Sequence, residues 1–200
     1  MSSAACLLGV RVAFEAGERH LSTISDVLQA AGLPPYAEAF DQDAAEARHD
    51  ELRRQARCTV DTLGPALPPL ARMILRTRGA NAGPFKDMAM GTERIFVPGD
   101  FTQRLDAPRL PGRCLWSTGA FRTALRHAAL ALGIPLVSGE VPPLAIKQIG
   151  NKKKLSKNDP VSLDEDEHGF TMLEHYRPVW LTLAEFCEVA HKNQIALSLA

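Results

Sequence analysis

Between Arg113 and Val137 the chain spells a strand, a tight turn, a helix, a glycine stop and a second extended run. Arg113-Cys114-Leu115-Trp116 is short and apolar, and Ser117 and Thr118 carry hydroxyls able to accept from the first free amides of a helix. Phe121, Ala124, Leu125, Ala128 and Leu132 then recur at helical spacing as one apolar stripe. Gly133 supplies a left-handed stop, after which Ile134-Pro135-Leu136-Val137 resumes in extended form. A crossover of about a dozen residues or more is what lets two strands lie parallel. The segment therefore predicts an α/β domain whose sheet is partly parallel.

The rest of the chain extends this reading. Leu7–Phe14 is an apolar run that predicts a strand, and His20–Ala31 predicts a helix capped by Ser22 or Thr23, with Ile24, Val27, Leu28 and Ala31 inward and Gly32 as its stop. A charged helix is expected from Asp43 to about Val60, its thin apolar face made by Ala44, Ala47, Leu52 and Ala56. Pro68-Pro69 opens another helix through Arg78, since a proline in the first turn withholds an N–H that would be unpaired there anyway. Arg78–Met90 and Leu105–Gly112 are expected as loops, and Arg94–Pro98 as a β-branched, aromatic strand. Pro142-Pro143 starts a short helix with Leu144, Ile146 and Ile149 inward. A last helix is expected from Pro178 to His191, with Asn193 as its left-handed stop and a closing strand over 194–199. The expected architecture is a single α/β domain over 1–200. It holds a mixed, partly parallel sheet of about five strands near 7–14, 94–98, 113–117, 134–137 and 194–199, flanked by helices, with a helical insertion over 43–78.

Composition narrows the partners more than the chemistry. Apolar residues make up 46% and charged residues 23% of the chain, so a sizeable core can form without staples. Net charge is zero but segregated: residues 1–61 carry 10 acidic and 6 basic side chains, residues 62–157 carry 5 and 15, and residues 158–200 carry 8 and 2. A basic middle between acidic flanks can steer an anionic partner, or the flanks can fold over it and cancel its field. Cys6, Cys58, Cys114 and Cys187 are far apart and form no C-x-x-C, which predicts buried free thiols and no metal cluster. No apolar run approaches the roughly 18 residues of a membrane span, and the opening residues lack a basic n-region, so the expected compartment is the cytoplasm.

Candidate chemistry is sparse. Ser117, Thr118 and Gly119 sit where a strand hands over to a helix, a place whose amides and dipole favour an anion or oxyanion. A nucleophile elbow needs glycine two residues before the serine, and here Leu115 stands there, so capping is the expected role. Asp164, Asp166, His168 and Gly169 trace a calcium loop in outline, but the twelfth place is His175 where a bidentate glutamate belongs. Residues 150–168 are expected to form a mobile charged loop that offers Lys152, Lys153, Lys154, Asp164, Glu165, Asp166 and Glu167 to a partner. The basic run has no interleaved aromatics and an acidic tract close behind it, which argues against nucleic acid. No cofactor motif is present in the sequence.

Arg94-Ile95-Phe96-Val97-Pro98-Gly99-Asp100-Phe101 resembles a Phe-Val-Pro-x-Asp-Phe segment of a family of small uncharacterised bacterial proteins. The Ser/Thr–helix ending in Leu132-Gly133-Ile134-Pro135 and the Trp180-Leu181-x-Leu with its closing strand recur there in similar order, so the resemblance covers roughly 94–199. It implies a bacterial cytoplasmic α/β protein without an evident cofactor, of a type sometimes paired with secreted toxins. The leading expectation is thus a non-enzymatic protein-binding module, of the immunity-inhibitor kind. The alternatives are a small hydrolase or transferase that uses Ser117–Gly119 as an anion site, with Asp100 or a histidine nearby, and a subunit of a larger assembly.

Overall fold

Five strands form one mixed sheet in the order β1-β5-β2-β4-β3, with β2 and β4 parallel and the other pairs antiparallel. The computed structural model describes residues 5–57, 63, 66–78, 83–91, 93–150 and 172–200. The strands are β1 (Cys6–Leu8), β2 (Arg94–Val97), β3 (Leu105–Asp106), β4 (Cys114–Ser117) and β5 (Leu197–Leu199). The helices are α1 (Val10–Ala13), α2 (Gly17–Ala30), α3 (Ala45–Arg53), α4 (Leu67–Arg78), α5 (Phe85–Met88), α6 (Thr118–Ala131), α7 (Pro143–Gly150) and α8 (Met172–Asn193). The expected α/β class with a partly parallel sheet of five strands and flanking helices is what forms.

Alternation along the strands divides the core in two. Cys6, Leu8, Phe96, Cys114, Trp116, Leu197 and Leu199 face α4, α6 and α8 in the larger cluster. Ile95, Val97, Leu115 and Ala196 face the other way, onto Leu21, Ile24 and Leu28 of α2. The sheet is therefore covered on both faces, as near-continuous apolar strands such as Arg94–Val97 require. On the larger face the Phe96 and Phe121 rings stack with centroids 4.1 Å apart, which fixes α6 over the parallel pair.

Several expectations are corrected. Residues 134–137 are no strand: Val137 and Glu140 bond each other across a tight turn whose Ser138 and Gly139 have φ of 53° and 81°. The parallel partner of β4 is β2 instead, and β3, expected as loop, lies on the other side of β4. The first strand ends at Leu8 because Gly9, at φ 114°, turns the chain into α1. Helix α2 starts at Gly17, so Ser22 and Thr23 lie inside it, and the Thr23 hydroxyl donates back to the Arg19 carbonyl at 2.9 Å. Helix α3 is shorter than expected and buries Ala45, His49 and Leu52, leaving Ala44 and Ala47 exposed. Residues 85–88 form a helical turn where a loop was expected. Leu144 is exposed, its inward place taken by Ala145. Pro178 stands inside α8 and not at its start, and Gln194, at φ 54°, takes the left-handed position assigned to Asn193.

The outer edge of β1 is sealed by an imidazole. Leu8 N–H donates to Nδ1 of buried His49 at 3.1 Å, so that nitrogen carries no proton. Burial lowers the His49 pKa from its ordinary 6.5, and burial lowers that of His20 as well. A depressed histidine contributes stability that is complete above the unfolded value and is lost as pH falls toward the folded one. Urea unfolding should therefore show stability falling as pH drops below about 6.5, and a His49→Phe variant should show a shallower fall. Equal slopes in the two proteins would contradict the assignment.

Candidate functional site

The carboxyl ends of β2 and β4 lie side by side, and the chain leaves them in different directions. After β2, residues 98–104 arch over the end of β4 to reach β3; after β4, the chain turns directly into α6. Crevices outside the carboxyl ends of strands are where open α/β sheets place their ligands. A cavity of about 860 Å³ opens here, lined by Asp100, Phe101 and Thr102 of the arch, by Trp116, Ser117 and Gly119, and by Ala120, Thr123 and His127 along one side of α6. This volume is within the roughly 300–1,000 Å³ of small-molecule sites.

Ser117 is wholly buried, and its hydroxyl is used twice. It accepts from the Ala120 N–H at 2.9 Å, which makes it the N-cap of α6, and it donates to the Phe101 carbonyl at 2.5 Å, which straps the arch to the helix start. Its proton is therefore committed to a backbone oxygen, and among the described residues no histidine hydrogen-bonds it. A serine nucleophile needs a base in that position. Thr118 is also buried but faces away from the crevice, with its hydroxyl 3.3 Å from His191 Nδ1 and its carbonyl accepting from the Cys187 thiol. Gly119 does reach the cavity, and a Cβ there would come 3.4 Å from the Gly99 carbonyl, so the helix start and the arch are in close approach. Of the three residues expected at this turn, Ser117 and Gly119 line the crevice and Thr118 does not.

Asp100 and His127 line the same cavity; the sequence offered Asp100 or a histidine, without choosing which, as a group near this turn. The side chains that sequence reasoning missed are Phe101, Trp116 and Thr123. A signal existed for the last: Gly119, Thr123 and His127 recur every four residues on α6, beside the apolar stripe and on one side of it. Behind the crevice, the Trp116 indole N–H donates to Asp87 Oδ2 at 2.8 Å, and Arg104 Nε lies 3.3 Å from the same oxygen, which holds the ring in place.

Three of the four cysteines are buried free thiols, with burial pushing Cys6, Cys114 and Cys187 up in pKa; Cys58 lies outside the described residues. Among the described residues there is no group of three or more potential metal ligands, and no helix is long and apolar enough to cross a membrane. The expected partner residues Lys152–Lys154 and Asp164–Glu167, and the outline of a calcium loop, lie outside the described residues. No family model matches the sequence, and neither the curated proteins nor the solved structures give a match to it. Function has to be read from the chain's own residues.

Proposed function

We propose that this protein is a binding protein that holds a small organic molecule in the crevice at the carboxyl ends of β2 and β4, with Ser117 as scaffold. The observation that carries this reading is the cavity of about 860 Å³ at that place, with two aromatic side chains, a carboxylate and an imidazole on its walls. Phe101 and Trp116 suit an apolar body. The start of α6 at Gly119 favours an anionic group, and Asp100 beside it favours a donor. The complementary ligand combines an apolar body with an acidic and a donor group.

The test is ligand-observed NMR with a fragment library containing L-phenylalanine, benzoate and phenethylamine, followed by protein-observed titration of each hit. Binding should shift the Trp116 indole cross-peak and leave that of Trp180, which lies outside the crevice, unmoved. Ala120→Phe, which fills the crevice from its half-buried wall, should abolish the response without lowering the melting temperature by more than a few degrees. A library without a saturable ligand, or binding that survives Ala120→Phe, would overturn the reading.

A second reading, the protein-binding module of the immunity-inhibitor kind, draws its support from the opposite side of α6. There Arg57, Arg122, Arg126 and Lys192 meet Glu140, Glu185 and Glu188 in a charged groove. Protection of cells in a toxin coexpression assay would favour it over the crevice.

A further inference from the structure

We propose that this groove contains a second, separate binding niche, which takes a carboxylate carried on a short apolar stem. The niche has a volume of about 320 Å³ and lies between α6, α8 and the Leu136–Val141 turn. It shares no lining residue with the crevice, because Arg122, Leu125 and Arg126 project from the side of α6 away from Thr123 and His127. Its floor is apolar, made by Leu125, Leu136 and Trp180, and its rim is charged.

The charges on that rim are unevenly satisfied. Glu185 is saturated: Arg57 reaches it with Nη2 at 2.8 Å, with Nε at 3.1 Å and with its backbone N–H at 2.8 Å. Glu188 Oε1 accepts from Arg122 Nε, and among the described residues the same oxygen is the sole carboxylate contact of Arg126, whose Nη2 stays 3.6 Å away. Arg126 Nε is buried without a partner. Lys192 is exposed and forms no ion pair among the described residues. Among the described residues two cations thus lack close partners, with Glu188 3.6 Å from one of them and Glu140 on the same rim.

The turn above them runs close against the Arg126 guanidinium, and glycine keeps side-chain atoms out of the gap. Gly139 sits at φ 81°, and a Cβ there would meet the Arg126 guanidinium carbon at 3.2 Å. Any side chain at 139 would occupy the space beside that cation. A guanidinium with one long, shared carboxylate contact over an apolar floor is complementary to an incoming carboxylate, because ionised hydrogen bonds to arginine are among the stronger polar contacts. The stem fills the floor, and the acid group completes Arg126 and Lys192.

That chemistry has two sources, a free organic acid and the acidic side chain of another protein. Butyrate and the capped peptide acetyl-Gly-Glu-Gly-amide present them separately, with butan-1-ol as the uncharged control. The Arg126 Nε–Hε cross-peak is the readout, at constant ionic strength. A saturable shift with butyrate or the peptide, and none with butanol, is expected, with Kd of about a millimolar for so small a probe. Lys192→Met, at an exposed site, should weaken binding about threefold or more, and Arg126→Met about tenfold or more, the latter followed by the Leu125 and Trp180 signals. The response should persist in Ala120→Phe, which separates it from the crevice. The tighter of the two probes identifies the source. Absence of a saturable shift with both, an equal shift with butanol, or unchanged affinity in Lys192→Met and Arg126→Met would each overturn the proposal.

Discussion

Ser117→Ala is expected to lower the unfolding free energy by about 2–4 kcal/mol, measured by chemical denaturation. The cap alone accounts for about 1 kcal/mol. The remainder arises because, at a site with no exposed surface, the Phe101 carbonyl also loses its donor. An orphaned buried group costs roughly 1–3 kcal/mol. With its strap gone, the 98–104 arch should loosen, so crevice ligands should bind more weakly. Thr123→Ala, on the exposed side of α6, should change stability by less than about 0.5 kcal/mol. An enzyme that used Ser117 as nucleophile would show the reverse, with activity abolished and stability barely moved. A stability loss under about 0.5 kcal/mol for Ser117→Ala would remove the scaffold role assigned to it here.

The strand-to-helix turn was legible because everything that makes it is local. Ser117 caps three residues ahead, the stripe Phe121, Ala124, Leu125 and Ala128 is buried as its spacing demands, and Gly133 stops the helix at φ 60°. Segments whose form depends on distant groups were not legible. An apolar run such as Leu7–Phe14 reads as strand until Gly9 turns it and Glu38, 28 residues from Val10, accepts the amides of the helix that follows. Ile134–Val137 has strand composition but, among the described residues, no strand beside it to pair with, since the place next to β4 is filled by β2 and β3. Pro178 marks a helix start by rule, yet the tertiary environment carries the helix through it: Arg177 donates to the Leu132 carbonyl at 2.7 Å and Trp180 to the Leu125 carbonyl at 3.0 Å. The candidate sites divide the same way. Gly119 and Ser117 could be named from the turn, whereas Phe101, Trp116 and the Arg126–Gly139 contact depend on how the arch and the Val137–Glu140 turn fold back.

Glu38→Ala should lower stability by about 3 kcal/mol or more. The Glu38 side chain is 0% exposed, and its two oxygens accept from the amides of Val10 and Arg11 at the start of α1, with Arg11 Nη1 3.4 Å from Oε2. Truncation leaves two buried N–H groups unpaired beside a guanidinium that is itself only 13% exposed. Arg11 keeps its bonds to the Phe40 carbonyl and to Glu18, which limits the loss to the lower end of the 3–5 kcal/mol seen when one partner of a buried ion pair is removed. Titration of the same group runs in the opposite sense. Burial raises the Glu38 pKa above its ordinary 4.5 despite the opposing pull of the Val10 and Arg11 amides and the Arg11 charge. Its contribution is therefore fully present below the unfolded value and declines as pH rises through the folded one. Glu38→Gln, which cannot ionise, should remove that decline while still costing stability, because its NH₂ replaces an oxygen that accepts from a backbone amide. Unfolding curves of the three proteins at pH 4 and pH 7 separate the two effects. A Glu38→Ala variant within about 1 kcal/mol of the parent would mean that the reversal from β1 into α1 is held by Gly9 and the sheet alone.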